Sequence, residues 1–285
     1  MTFVVVQCLN GLAYGLLLFL MAAGLSLIFG MMDVVNLAHG ALYMLGAYLA
    51  LTVVQAGGSF WLAMAAAPLL VAALGLIAER TLLRSLYGRH LDQVLRPFGL
   101  AFVTGDMARA VWGAEVRAIA APPQLNGSLP IGDYTFPIYK LFVIALGLAL
   151  AAALWLLVER TRVGAILRAG VSDREMAEAL GINVGRVFNR LFAAVAGLAA
   201  LSGVVAAPIS SLYPGMDLAI LLTTLIVVVV GGLGSLRGAF WGAILIGQAE
   251  TFGIVLLPDF ALALIFLIMA AVLLWRPRGL FGRSE

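Results

Sequence analysis

The sequence predicts an all-α polytopic membrane protein that forms a single transmembrane domain over residues 1–285. Hydrophobic residues make up 64% of the chain and charged residues 11%, with a mean hydropathy of +1.10. A soluble domain carries about 25% charged residues, so this class is excluded. Apolar runs such as Leu218–Val230 lack the alternation of a barrel strand. We expect about nine transmembrane helices (eight to ten), with the amino terminus outside and the carboxyl terminus in the cytoplasm.

The arginine residues set the predicted orientation. They gather in Arg80–Arg96, Arg160–Arg190 and Arg276–Arg283, and nine crossings bring all three groups to the cytoplasmic side. No Lys or Arg precedes Arg80, so the first apolar stretch lacks the basic region of a removable signal and is expected to remain as a span. The predicted crossings are Thr2–Gly30, Ala41–Ala56, Phe60–Ala78, Gln93–Trp112, Ile138–Val158, Val187–Ala207, Ala219–Val230, Ala239–Leu257 and Phe260–Trp275.

Three polar residues interrupt the chain between the first two apolar stretches. Asp33, Asn36 and His39 recur every three residues, so a helix would bring each beside the next. The segment is interpreted either as a short cytoplasmic turn or as a broken helix that dips into a cavity. His39 is also consistent with a helix-end or packing histidine, because no second His or Cys lies nearby to complete a metal site.

The fourth predicted crossing, Gln93–Trp112, is too polar to face lipid. Asp106 and Arg109 are three residues apart and could neutralise one another, reducing a burial cost of about 2.5–3.5 kcal/mol per charge. We therefore expect an inner span surrounded by protein, with these two residues as a structural pair. The preceding Glu79–His90 is predicted to be an interfacial cytoplasmic helix with an apolar face of Leu82, Leu83 and Leu86.

A glycine-rich segment, Gly231–Gly247, follows the seventh apolar stretch. Its Gly234, Gly238 and Gly242 recur every four residues, which predicts one bare helical face suited to close helix contact. The segment is not predicted to bind phosphate, because no Gly-Lys-Ser/Thr follows its glycines.

The charged segment Glu159–Arg190 is the main cytoplasmic loop and holds ten of the 31 charged residues, six of them Arg. Ser172 to Glu175 reads as a capping box in which Ser172 is the N-cap and Glu175 reaches back. Leu180-Gly181 is predicted to end a helix of roughly two turns, with Gly181 in the left-handed conformation. Such a short helix is marginal in water. It is either a solvated loop helix or a docking element, and we favour docking.

Four motifs together resemble LivH-type permease subunits of branched-chain amino acid ABC importers. They are GLAYGLLLFLMAAGLSLIFGMMDVVNLAHGALYMLGAY (Gly11–Tyr48), ERTRVGAILRAGVSDREMAEALGINVGRV (Glu159–Val187), VVVVGGLGSLRGAFWGAILIGQAE (Val227–Glu250) and RPRGLFG (Arg276–Gly282). Their order and spread imply that the whole chain belongs to the family. The resemblance implies a permease in the bacterial cell inner membrane that moves branched-chain or other hydrophobic amino acids, or related small solutes, into the cytoplasm.

The resemblance also implies partners: a second permease subunit, with a LivM-like heterodimer favoured over a homodimer, two cytoplasmic ATPases and a periplasmic substrate-binding protein. ATP and Mg would be bound by the ATPases, and no cofactor is expected in this chain. The coupling helix implied by the resemblance comprises Ser172, Asp173, Arg174, Glu175, Met176, Glu178, Ala179, Leu180 and Gly181. The implied translocation path includes Asn36, His39, Gly40, Tyr43, Gly231, Gly232, Gly234, Gln248 and Glu250.

An ion-coupled secondary carrier, acting without ATPase partners, is the alternative function. Only Glu250 and Asp106 offer intramembrane carboxylates for it. Glu250 is interpreted either as a proton-bearing path residue or as a hydrogen-bonded structural carboxyl, and the second is favoured because an ATP-driven importer needs no proton relay. An enzyme is not expected, since no HExxH or GxSxG pattern occurs. The net charge of +3 reflects membrane-flanking arginines rather than nucleic-acid binding.

Overall fold

The computed structural model describes residues 1–32, 36–83 and 90–282 and is mainly helical. Its α-helices are α1 (Thr2–Met32), α2 (His39–Gln55), α3 (Phe60–Ala78), α4 (His90–Trp112), α5 (Ile138–Arg160), α6 (Arg162–Ser172), α7 (Arg174–Ala179), α8 (Val184–Ala206), α9 (Met216–Gly231), α10 (Leu236–Leu256) and α11 (Ala261–Trp275). Strands β1 (Ser128–Ile131) and β2 (Tyr134–Pro137) form one antiparallel hairpin.

Among the described residues, six helices are long and apolar enough to cross a membrane. They are Thr2–Gly30, Phe60–Thr81, Ile138–Arg160, Val184–Ala206, Leu236–Leu256 and Pro258–Trp275, and Met216–Gly231 is a shorter apolar helix. Each of the nine predicted crossings coincides with an α-helix, so the polytopic helical class is confirmed. The number of crossings and their orientation remain predictions.

Local capping chemistry explains where several helices begin. Short polar side chains at the N-cap accept a hydrogen bond from a backbone N–H of the first turn, which otherwise has no partner in the helix. Helices α3, α6, α7, α8 and α10 start in this way at Ser59, Thr161, Asp173, Asn183 and Ser235.

The chain divides into two compact units, which we describe separately. The first comprises Met1–Ser26, Ala120–Ala151 and Leu222–Glu285, and the second comprises Leu27–Ile119 and Ala152–Leu221.

In the first unit, glycines bring α1 and α10 into backbone contact. A Cβ added to Gly247 would lie 2.6 Å from the backbone nitrogen of Gly15, and one added to Gly15 would lie 2.8 Å from the carbonyl oxygen of Ala243. Phe19 and Phe240 meet edge to face beside this crossing, with ring centroids 5.3 Å apart. The predicted use of small residues for close helix contact therefore applies to α1 and α10.

Gly238 and Gly242 of α10 lie against the backbone of α9, as predicted for a glycine face, but Gly234 is not part of that face. Gly232 and Gly234 have φ values of 106° and 74°, so α9 ends at Gly231 and Gly234 lies outside both helices. The C-terminal Leu280 and Phe281 donate backbone hydrogen bonds of 2.9 Å to the last carbonyls of α9. The RPRGLFG motif therefore supplies hydrogen-bond donors to carbonyl groups at the end of α9 that would otherwise lack partners within the helix.

In the second unit, α8 packs closely against both α2 and α3. The contacts use small residues: Gly203 lies against the backbone of Tyr43 in α2, and Gly197 against Ala72 in α3, where an added Cβ would meet a methyl at 3.3 Å. Ile28 packs with Phe192 and Val195 in the apolar core of this unit.

Helix α4 departs from the prediction of an enclosed inner span. The Asp106–Arg109 pair is present, with 3.8 Å between a carboxylate oxygen and a guanidinium nitrogen, but both side chains are exposed at the surface of the chain. Its C-terminal end is fixed to α2, because Trp112 Nε1 donates a 2.8 Å hydrogen bond to Thr52 Oγ1. The predicted interfacial helix is also different: Glu79–Leu83 forms a π-helical turn that continues α3, and Leu86 lies outside the described residues.

Candidate functional site

The charged loop folds into α6 and α7, two helices set between α5 and α8. Thr161 Oγ1 accepts a 3.2 Å hydrogen bond from Gly164 N, which turns the chain from α5 into α6. Arg168 donates a side-chain hydrogen bond back to the carbonyl oxygen of Val158, near the end of α5. The loop is therefore tied to the spans by specific contacts.

The N-cap of α7 is Asp173, so the predicted capping box with Ser172 as N-cap is wrong. Asp173 Oδ1 accepts a 2.9 Å hydrogen bond from Met176 N, while Ser172 is the last residue of α6. This register leaves Glu175 in the first helical turn, where its negative charge is favourable near the positive end of the helix.

The end of α7 is a Schellman motif, which confirms the predicted helix end at Leu180-Gly181. Ile182 N donates to the carbonyl oxygen of Ala177 at 3.1 Å, and Gly181 N donates to that of Glu178 at 3.0 Å. Gly181 has a φ of +84°, a left-handed conformation that glycine adopts without steric cost.

One side of α7 is held by α8 and the other is open. Ala177 is 2% exposed and packs with Val184 and Phe188 of α8. By contrast, Met176 is 58% exposed and Leu180 75% exposed. The coupling residues expected from the sequence omit Ala177, because only the packing reveals which side of so short a helix is buried.

The surroundings of the open apolar residues are acidic. Asp173, Glu175 and Glu178 are exposed together with Ala179, so three carboxylates lie on or next to the short helix that carries Met176 and Leu180. This arrangement resembles the rim of a protein interface, where charged groups encircle a few apolar anchors. Of the predicted coupling residues, Arg174 and Ser172 have side chains outside the described part of the structure.

A second group of predicted residues lies at the start of α2, where Asn36 is 5% and His39 0% exposed. Asn36 Oδ1 accepts a 3.1 Å hydrogen bond from Ala38 N, and His39 N donates at 3.1 Å to the carbonyl oxygen of Asn36. Gly40 and Tyr43 are also buried. Burial of these groups favours the broken-helix interpretation over a solvated turn. Asp33 lies outside the described residues.

Asp217 joins this group, and sequence reasoning missed it. It lies in the first turn of α9 and is 6% exposed. Its backbone carbonyl contacts Gly40, so the starts of α2 and α9 meet in the second unit. Asp217 lies between the predicted crossings Val187–Ala207 and Ala219–Val230, and nothing in its local sequence signals a contact with Gly40, 177 positions earlier.

The remaining predicted path residues lie in the first unit. Gly231 ends α9, and Gly232 and Gly234 form the left-handed break after it. Gln248 and Glu250 are half-buried on α10: Gln248 Nε2 donates a 2.9 Å hydrogen bond to the carbonyl oxygen of Cys8, and Glu250 accepts one from Tyr14. The contact with Tyr14 agrees with the favoured structural role of Glu250.

The structure also contains a polar pair that the sequence did not single out. Asn189 of α8 donates a side-chain hydrogen bond to Glu79 at the start of the π-helical turn, and both residues are buried. No cluster of three or more His, Cys, Asp or Glu able to hold a metal ion occurs within residues 1–32, 36–83 and 90–282.

Comparison with known proteins gives a family match across most of the chain. The model of the family described as "Branched-chain amino acid transport system / permease component" matches residues 7–273. The permease protein BraD of a high-affinity branched-chain amino acid transport system in Pseudomonas aeruginosa is 28% identical, with 98% of this chain and 96% of BraD aligned.

Two further relatives carry similar descriptions. LivH of Escherichia coli, also a high-affinity branched-chain amino acid transport permease, is 27% identical over 98% of this chain and 96% of LivH. A probable LivH permease of Methanocaldococcus jannaschii is 27% identical over 96% of this chain and 91% of its own length.

Proposed function

The chain belongs to the family of permease components of branched-chain amino acid transport systems, and we propose that it couples ATP hydrolysis by partner subunits to amino acid import. It is a multi-pass membrane protein and a transport subunit rather than an enzyme. Family membership supports the ABC permease over the ion-coupled carrier.

The observation that carries the coupling proposal is the exposed apolar pair Met176 and Leu180 on a helix that α8 holds in place. Exposed apolar side chains flanked by charged groups are typical of a surface that binds another protein. We propose that α7 docks in a groove of a cytoplasmic ABC ATPase, with the two side chains as apolar anchors. The buried Ala177 and the cap at each end of α7 hold it in a fixed orientation, so force on the helix reaches α8.

Close packing provides a route from α8 to the residues at the start of α2. Gly203 and Ala200 of α8 contact the backbone of Tyr43 and Gly46 of α2 without intervening side chains. Backbones in direct contact cannot slide past one another without breaking that packing. A shift of the N-terminal end of α8 would therefore move α2, with Asn36 and His39 at its start, as one body.

We propose path residues for each unit separately: Asn36, His39, Gly40 and Tyr43 in the second unit, and Gly231, Gly232, Gly234, Gln248 and Glu250 in the first. Polar groups in membrane helices are costly against lipid and are retained where they line a cavity or contact protein. In this proposal the chain lies in the bacterial inner membrane and pairs with a second permease subunit, a LivM-like chain being favoured. A periplasmic binding protein delivers the amino acid, and two ATPases bind ATP and Mg.

The proposed function predicts ATP-dependent leucine uptake. The chain is to be co-expressed with candidate second permease and ATPase subunits from the same organism, reconstituted in proteoliposomes and supplied with a candidate leucine-binding protein. Radiolabelled leucine should accumulate only with ATP on the ATPase side and binding protein on the other. Uptake that proceeds without ATP but responds to a sodium or proton gradient would contradict the proposal and favour the carrier.

A further inference from the structure

Resting on the proposed importer function, we propose that the start of α2 with Asn36, and the carboxylate of Asp217, form a site for the zwitterionic head group of an α-amino acid in transit. The α2 end would bind the substrate carboxylate and Asp217 the substrate ammonium group. The inference concerns the second unit alone, since both elements lie within it.

The start of α2 offers hydrogen-bond donors. The N–H groups of Ala38 and His39 are already bonded to Asn36, and the N-cap, Ala38, supplies no side-chain cap. The following N–H groups of the first turn therefore keep the positive partial charge of a helix N-terminus. A second and independent observation is the amide of Asn36, a residue only 5% exposed. Its Oδ1 is bonded to Ala38 N, whereas its buried Nδ2 has no hydrogen-bond partner in the described part of the chain. A buried donor without an acceptor is costly, and a substrate carboxylate would supply one.

Asp217 offers the opposite charge. Its carboxylate is almost fully buried and accepts backbone hydrogen bonds from Asp217 and Leu218 at the N-terminus of α9, and a buried carboxylate is stabilised by a cation placed against it. Among the described residues, Arg109 is the cation whose charge acts on it, but Arg109 is exposed and lies 3.8 Å from Asp106. The Asp217 carboxylate therefore remains suited to an ammonium group from the substrate.

Gly40 lets the backbones of the two helix starts come together. A Cβ on Gly40 would lie closer to the backbone carbonyl of Asp217 than van der Waals contact allows, and 3.1 Å from the Cβ of Leu221. Any larger residue would push the first turns of α2 and α9 apart. The ammonium and carboxylate of an amino acid are attached to one carbon, so a site for both needs its donor and acceptor groups on adjoining turns.

The neighbourhood also fits an apolar side chain on the substrate. Tyr43 and Leu221, one turn along α2 and α9, are buried and make the surroundings of the two helix starts apolar. A neutral solute such as urea could satisfy Asn36 but would leave the Asp217 carboxylate without a cation. The site chemistry therefore selects a hydrophobic amino acid rather than urea or a simple amide.

The test uses the complete importer in proteoliposomes with Asn36→Asp and Asp217→Asn, which keep the side-chain shapes and change the charge. Asn126→Asp and Asp133→Asn, both exposed in the segment between α4 and α5, are the matched controls. We measure leucine uptake per ATP hydrolysed, binding-protein-stimulated ATP hydrolysis and thermal unfolding. Each site variant should lower uptake per ATP by about tenfold or more. ATP hydrolysis and unfolding temperature should remain near those of the controls.

A double variant, Asn36→Asp with Asp217→Asn, separates substrate binding from simple charge burial. The double variant retains one amide and one carboxylate in the site but exchanges their positions. The carboxylate then lies at the positive end of α2, where the substrate carboxylate should bind, so uptake should stay low. Three results would each overturn the inference. They are wild-type uptake in both single variants, a parallel loss of uptake, ATP hydrolysis and stability in the single variants, and restored uptake in the double variant. Absence of leucine uptake by the wild-type importer would instead refute the proposed function.

Discussion

Replacing both Met176 and Leu180 with alanine is expected to abolish productive coupling to the ATPase while leaving the permease folded. Both side chains are mostly exposed, so their truncation removes little packing within the chain. Ala177, the Asp173 cap and the Schellman motif remain intact and keep α7 in place. If the two side chains are apolar anchors, their loss costs about 2–4 kcal/mol of binding energy, or roughly 30- to 700-fold in affinity.

The measurement is a titration of labelled ATPase onto the purified permease pair, followed by leucine uptake. A double variant Val116→Ala with Leu129→Ala is the control, because these side chains are also exposed but lie between α4 and α5. Equal ATPase affinity in the α7 variant and the control would rule out α7 as the docking element.

Gly247→Val is expected to prevent stable folding of the first unit. The added side chain would meet backbone atoms of α1, with the nitrogen of Gly15 at 2.6 Å and the carbonyl oxygen of Gly11 at 2.7 Å from its Cβ. Backbone atoms cannot move aside by changing rotamer, so α1 and α10 must separate. We expect a loss of about 3 kcal/mol or more, seen as a lower unfolding temperature and a lower yield in detergent.

Gly105→Val is the matched control for this substitution. Gly105 lies on α4, and a Cβ there would have no neighbour within 4 Å. An unfolding temperature of Gly247→Val equal to that of the control would mean that α1 and α10 do not pack through these glycines.

The positions of the helices could be predicted because membrane-spanning length and apolar content determine them directly. The predicted third crossing, Phe60–Ala78, has the same bounds as α3, since Ser59 caps its start and Glu79 interrupts its apolar run. The charged loop was also predicted as a separate cytoplasmic element containing a short helix, and Gly181 ends that helix as expected.

Features that depend on contacts between distant residues could not be read from the sequence. Ser172 and Asp173 are both good N-cap residues, and the extension of α6 through Ser172 leaves Asp173 as the cap. The four-residue glycine spacing gave no sign that Gly234 has a positive φ. Asp217 belongs to the group of residues at the start of α2 only because α9 begins in contact with Gly40 of that helix.

The most direct test of the central claim, that energy enters through α7, is site-directed cross-linking in the assembled importer. Cys8, the single native cysteine, is replaced by serine, and a new cysteine carrying a photoreactive group is placed at Leu180 or, as control, at Leu129. The account predicts a cross-link to the ATPase from position 180, altered when ATP binds, and none from position 129. Cross-linking of position 180 to lipid or to the permease alone, in a complex that contains the ATPase, would contradict it.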